Sequence, residues 1–169
     1  MKQCRACLRE LNIKDKTCKF CGTSTAERYT EFFNRSWQNQ NQFIAEINGW
    51  LSENPRMANL TCKFYYKAGF GFLGLSAFLN GVEFEYELLE GENKNQYAVD
   101  RFRNIKFFRR ISQSEAIGEW YDKHPNAKIV RAEEGTGQLD SSFHVSFGGV
   151  GRNIFSYVYF ILYKYSRDK

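Results

Sequence analysis

Beyond residue 22 the chain alternates between two periods of hydrophobic and polar positions, and the switches between them lay out its elements. Tyr29, Phe33, Trp37, Gln40, Ile44, Ile47 and Leu51 recur at steps of three and four, the stripe of an amphipathic helix. Ser24-Thr25-Ala26-Glu27 has the form of a capping box ahead of that stripe, and Asn54-Pro55 ends it. One long N-terminal helix over residues 25–51 is expected, with the wholly polar tract 38–42 as the point where it would break.

Period two follows. Leu60, Cys62, Phe64 and Tyr66 alternate with Thr61, Lys63, Tyr65 and Lys67; Val82, Phe84, Tyr86 and Leu88 alternate with Glu83, Glu85 and Glu87. Residues 69–79 are mixed and extended in character, and Asn80-Gly81 reads as the turn after them. Residues 96–110 read as a strand whose alternation breaks near Asn104, as a bulge would cause. Ser112-Gln113-Ser114-Glu115 is a second capping box; it opens a short helix with Ile117, Trp120 and Tyr121 inward and a stop at His124-Pro125. Residues 128–132, 143–147 and 154–165 complete the strands, with Gly148-Gly149-Val150-Gly151 as a turn. Hairpin-length connections predict an α+β fold, a mainly antiparallel sheet with the long helix and one shorter helix on one face. Lys63 and Lys67, the three glutamates, and Arg101 and Arg103 would then share the open face as cross-strand charge pairs.

The first 22 residues follow a different logic. Cys4-Arg5-Ala6-Cys7 and Cys18-Lys19-Phe20-Cys21 repeat one step, ten residues apart. Two residues between cysteines turn both sulfurs of a tight knuckle toward one point, and two knuckles supply four thiolates to a tetrahedral metal. Redox disulfides, or iron in place of zinc, use the same residue type, but a segment this short has no other core, which favours one structural Zn²⁺. Gly22 follows the second knuckle, where left-handed backbone is useful; Leu8 stands at the matching place in the first. Residues 4–22 resemble the short zinc ribbons that open many bacterial proteins. Such ribbons contact proteins or nucleic acids, or serve structure alone, so the resemblance implies a binding role and no particular partner. The expected division is a ribbon over residues 1–22 and an α+β domain over 25–169.

Charge sharpens this division. The chain carries 24 Lys and Arg against 19 Asp and Glu, net +5. Residues 1–22 hold six of those basic groups and two of the acidic ones, so most of the excess lies in the ribbon. Four thiolates on Zn²⁺ contribute about −2, which leaves a small basic patch of Arg5, Arg9, Lys14, Lys16 and Lys19. Sixteen Phe, ten Tyr and three Trp predict an aromatic core for the rest. The start, Met-Lys-Gln-Cys, has no signal-peptide character, and no apolar run approaches the ~20 residues of a membrane span, so a soluble cytoplasmic protein is expected.

Other motifs carry competing readings. Gly69-Phe70-Gly71-Phe72-Leu73-Gly74 matches a dinucleotide fingerprint, but no room remains for the helix that must follow it. Gly69 to Leu73 also resembles the RNP1 of RNA-recognition motifs; Ala68 and Leu75 depart from that pattern, and an aromatic core strand has the same composition. The last strand is apolar on both faces. Its tyrosines form either a stacking platform beside Arg152, Lys164 and Arg167 or a strand covered on both sides. Residues 101–110 interleave five basic groups with aromatics, a nucleic-acid candidate through Arg101 and Arg103 or a strand paired with the glutamates. Glu83, Glu85 and Glu87 share one face, as a divalent-metal site requires and as a solvated sheet face also shows. His124 and His144 have no partner motif, and Cys62 reads as a core thiol. The expectation is a non-enzymatic protein that binds a macromolecular partner, protein or nucleic acid. The alternative is a small enzyme with its pocket in the α+β domain and a purely structural zinc.

Overall fold

The structure, a computed structural model, describes residues 1–4, 6–12, 14–34, 39–71, 74–107, 112–135, 142–147 and 150–167, in backbone alone at 68–71, 74–77, 104–107, 142–147 and 150–157. The elements in chain order are β1 (Lys2–Gln3), β2 (Glu10–Leu11), β3 (Arg28–Asn34), α1 (Gln40–Glu53), β4 (Met57–Gly71), β5 (Gly74–Leu88), β6 (Asn95–Phe107), α2 (Gln113–Lys123), β7 (Lys128–Glu134), β8 (Ser142–Phe147) and β9 (Val150–Ser166). The fold is α+β with antiparallel pairing throughout the described strands. After the β1–β2 hairpin come a three-stranded sheet, β3-β5-β4, and a four-stranded one in which β9 pairs with β6, β7 and β8.

The long helix over 25–51 is not formed. Residues 28–34 are strand β3, and the first helix begins at Gln40. The physical reason lies in the spacing. Tyr29 and Phe33 are four apart, and a step of four is a multiple of the strand period as well as about one helical turn. Tyr, Thr and Phe favour the pleated form, and β5 supplies the partner, with Tyr29 opposite Tyr86 and Phe33 opposite Val82. Ser24 accepts from the Ala26 N–H in a local turn rather than capping a helix. The second half of the stripe holds: Phe43, Ile47 and Leu51 of α1 are buried, and Asn54 closes the helix. Trp37 lies outside the described residues.

One core forms between the two sheets and α1. Leu60, Cys62, Phe64, Val82 and Phe84 of the first sheet meet Tyr97, Val99, Val158, Phe160 and Leu162 of the second. A smaller core covers the second sheet's other face, where Ala116 and Trp120 of α2 pack on Phe102, Tyr159 and Ile161. Trp120 is wholly buried, and its Nε1–H donates to Asp100 Oδ2 at 2.8 Å. Ser112 caps α2 as expected, but Tyr121 faces outward. The stretch of β9 from Val158 to Leu162 is buried on both faces, so the tyrosine platform is excluded at Tyr159.

Three local expectations need correction. Asn80 and Gly81 lie inside β5, with Gly81 opposite Asn34 and Tyr65. A Cβ on Gly81 would stand 2.9 Å from the Phe33 carbonyl oxygen, so the glycine serves close strand approach, not a turn. The β6–β9 register runs without a shift from Asn95 to Phe107, so no bulge occurs at Asn104. The irregularities fall instead between Ala58 and Thr61, Tyr65 and Tyr66, and Ile129 and Arg131.

Two carboxamides of α1 complete the backbone pairing. Gln40 Nε2 donates to the Leu79 carbonyl at 3.0 Å, while the Leu79 N–H donates to Gln40 Oε1 at 2.7 Å. Asn48 does the same at Val99, at 3.0 and 2.7 Å. Leu79 lies where β3 has ended beside β5, and Val99 lies on the open edge of β6. Each amide therefore occupies the place of a neighbouring strand. Asn48→Ala leaves a donor and an acceptor of the half-buried edge unpaired. An expected loss of about 2 kcal/mol in unfolding free energy is checked by urea denaturation against an exposed control such as Glu53→Ala.

Candidate metal centre

The four ribbon cysteines converge. Their sulfurs all lie within 4.8 Å of one another, and Cys4–Cys21 and Cys7–Cys18 stand at 3.6 Å. That is far beyond a disulfide bond, and all five cysteines are free. It is close to the ~3.8 Å edge of a tetrahedron of sulfurs ~2.3 Å from a central metal. The donor set fits one metal ion, and among the described residues no fifth ligand joins it.

One backbone device, used twice, produces this arrangement. In the first knuckle the Cys4 N–H donates to Arg9 O and the Leu8 N–H to Cys4 O; in the second, the Cys18 N–H donates to Thr23 O and the Gly22 N–H to Cys18 O. The residue four after the leading cysteine is left-handed in both, Leu8 with φ 58° and Gly22 with φ 71°. Leucine there carries the steric cost that glycine avoids. Beneath the sulfurs, among the described residues, the ribbon buries only Cys4, Leu11 and Cys18, with Cys7 partly covered.

The thiols interact. Backbone N–H groups of Cys7 and Ala6 hold Cys4 below the ordinary thiol range. The Thr23 hydroxyl and N–H bring Cys21 down to about 6. The Arg9 N–H favours the Cys7 thiolate, but burial and the neighbouring sulfurs of Cys18, Cys4 and Cys21 outweigh it and push Cys7 up to about 11. Without a cation at its centre the cluster does not release all its protons together; a divalent ion reverses that balance.

Around the centre, Phe20 is 47 % exposed, with the Arg9 guanidinium 4.7 Å and the Lys19 ammonium 5.2 Å from its ring centre. Lys16 forms an exposed ion pair with Glu90, 2.7 Å, which ties the ribbon to the end of β5. Lys14 lines a shallow basin with Lys2, Asp15, Glu27 and Glu90. Arg5 lies outside the described residues. Thr25 anchors the connection, its hydroxyl donating to Asp15 O and its N–H to Lys16 O.

Arg101 and Arg103 do not pair across strands with the glutamates. They lie on β6, opposite Phe160 and Val158, whereas Glu83, Glu85 and Glu87 lie on β5 in the other sheet. By alternation the arginines continue the face of Tyr97 and Val99, toward the interior. Both are half-buried, and burial and Arg103 push the Arg101 pKa down. Phe108, Arg109 and Arg110 lie outside the described residues. Each glutamate has its own partner: Glu83 accepts from Tyr65 Oη at 2.6 Å, Glu85 pairs with Arg28, and Glu87, 6 % exposed, accepts from Asn59 Nδ2 at 2.8 Å. Among the described residues the four cysteines are the one cluster able to hold a metal.

The other candidates separate as follows. Gly71 pairs with Gly74 across a hairpin, so no helix follows the glycine motif and the dinucleotide reading is excluded. Phe72 and the Phe70 side chain lie outside the description, as does the side chain of His144. His124 ends α2, stacks on Trp120 at 4.2 Å, and lines an open cleft of about 700 Å³ with Tyr163, Tyr165 and Arg167; among the described residues no carboxylate or thiol lines it. Among the described residues no helix is long and apolar enough to cross a membrane. The amide clamps of Gln40 and Asn48 escaped the sequence reading, although carboxamides two turns apart beside an apolar helical stripe are a signal for backbone pairing.

No protein-family model, curated protein or solved structure matches this chain.

Two outcomes follow from this geometry. Leu8→Gly relieves the left-handed leucine and is expected to stabilise the metal-loaded ribbon by about 1 kcal/mol, read as slower metal loss to a chelator. Cys62, whose thiol burial pushes up to about 12, is expected to stay unreactive toward a thiol reagent at pH 8 until the protein unfolds. The linkage has one sign: the unfolded thiol ionises near 9 and the folded one near 12, so this group lowers stability as pH rises through that window.

Proposed function

We propose that the protein is a non-enzymatic zinc-ribbon protein whose basic ribbon and α+β domain bind a macromolecular partner, nucleic acid or protein. The supporting observation is the convergence of four cysteine sulfurs within 4.8 Å of one another, a donor set that would fill all four positions of a tetrahedral ion and leave none for water or substrate. Zinc suits four thiolates at this spacing and contributes folding free energy of about 10–16 kcal/mol in comparable small sites. That contribution is needed here, because among the described residues the ribbon's apolar core is Leu11 and its own cysteines. Residues 1–22 then form one unit and residues 25–169 the other. The ribbon presents Phe20, an exposed ring with Arg9 and Lys19 over it, and Lys14 lines a separate basin. Arg5, Arg9, Lys14, Lys16 and Lys19 are the groups assigned to phosphates or to acidic side chains of the partner; Arg101 and Arg103, half-buried on the inner face of β6, are not part of that surface.

Two measurements test this reading. Cys18→Ser is expected to abolish binding of one zinc per chain and to unfold residues 1–22, while the amide spectrum of residues 25–169 stays nearly unchanged; collapse of the whole protein overturns the two-unit division. Metal-loaded protein titrated with single- and double-stranded RNA and DNA across a salt series is expected to bind with a steep negative salt slope that falls in Lys14→Glu and Lys19→Glu. No binding at low salt removes nucleic acid and leaves a protein partner.

A further inference from the structure

The domain outside the ribbon is close to neutral, with 18 basic groups against 17 acidic ones, yet its cations are not evenly mixed. A groove runs along the free edge of β4, where that strand faces β7. Lys63, Lys67 and Arg131 line it together with Tyr65, Tyr66 and Glu133, and its volume is about 520 Å³. Glu133, the one carboxylate among the described residues of that lining, forms an ion pair with Arg131, so the groove keeps the net charge of Lys63 and Lys67. Lys67 is exposed and makes no hydrogen bond or ion pair among the described residues. Lys63 sits over the Tyr65 ring at 5.0 Å.

We propose that this groove binds single-stranded nucleic acid, with Lys63, Lys67 and Arg131 on phosphates and an unpaired base on the exposed ring of Tyr66. The inference rests on the reading of the protein as a binder of a macromolecular partner and names that partner's class for the domain surface. Lys63 and Lys67 are four strand residues apart, about 13 Å, so they are spaced for phosphates about two nucleotides apart on a polymer rather than for one anion. Tyr66 is 39 % exposed, and its inner face already rests on Phe160 at 5.7 Å, which holds the ring still for stacking. A duplex hides its base faces and cannot use that ring; an acidic peptide has no need of it.

A further ring and cation adjoin Lys67 beside the groove. Lys67 lies opposite Phe78 on β5, and the Arg101 guanidinium stands 5.8 Å from the Phe78 ring centre. Cations and rings thus alternate from the β4 edge across β5 to β6, crossing from one sheet to the other. The pattern of basic groups interleaved with aromatics, present along β4 as Lys63-Phe64-Tyr65-Tyr66-Lys67, is continued in space by Phe78 and Arg101 of two other strands.

The test uses full-length, metal-loaded protein and labelled oligo(U) and oligo(dT) of about 12 nucleotides, with RNA and DNA duplexes of the same length, by fluorescence anisotropy from about 25 to 300 mM salt. Both single strands are expected to bind, and the duplexes at least tenfold more weakly. Lys67→Glu with Lys63→Gln is expected to weaken single-strand binding about tenfold or more and to flatten the salt slope by about 0.7 for each phosphate no longer neutralised. Lys67→Glu alone, at an exposed position without a partner among the described residues, serves if the double variant lowers the melting temperature. Single-strand binding that survives both variants and falls in Lys14→Glu and Lys19→Glu overturns the groove and leaves the ribbon reading intact. Duplexes that bind as tightly as single strands, or no binding of any single strand at the lowest salt, also overturn it.

Discussion

Two carboxamides on one helix hold the sheets of this protein in register with each other. Gln40 pairs with the backbone of Leu79 in the three-stranded sheet, and Asn48 pairs with that of Val99 in the four-stranded sheet. An open edge of a sheet must satisfy its N–H and C=O groups or lose the free energy of leaving them dry. A side-chain amide offers one donor and one acceptor at the spacing of a strand residue, so one helix closes two edges while its apolar side fills the space between. Phe43, Ile47 and Leu51 enter the shared core from the same helix. The helix therefore fixes both the separation of the sheets and the strand positions that meet across it, and everything placed on those strands inherits that geometry.

The second sheet sits at the middle of the molecule for a related reason. Its strand β9 is buried on both faces from Val158 to Leu162, which needs a cover on each side. The first sheet and α1 provide one, and α2, anchored by Trp120 on Asp100, provides the other.

The ribbon stands apart from this economy of apolar area. Its backbone repeats one knuckle twice, and its sulfurs replace the core that 22 residues cannot build. The left-handed Leu8, exposed where glycine serves in the sister knuckle, is a cost kept for a side chain that the ribbon's own interior does not use. Phe20 and its two flanking cations present a similar exposed chemistry.

The metal centre is legible in the sequence because it is local: paired cysteines two residues apart define a knuckle wherever the chain goes. The same holds for α2, whose cap at Ser112 and stop at His124 are short-range devices, and for the strand alternation over 60–64 and 82–86; at the strand ends it fails, with Glu87 buried and Tyr66 and Leu88 exposed. Tyr29 and Phe33 mislead because a step of four suits both periods, and only β5, some fifty residues on, decides for the strand. Alternation likewise divides a strand into two faces without saying which is covered; Arg101 and Arg103 fall on the inner face because α1 and the first sheet lie there. The sequence by itself determined the donor set, the aromatic content and the local start and stop of elements, since these depend on neighbours in the chain. The tertiary structure alone decided which edges the amides close, which arginines turn inward and that Arg131 of β7 meets the lysines of β4 at a groove, since these depend on residues brought together from far along it.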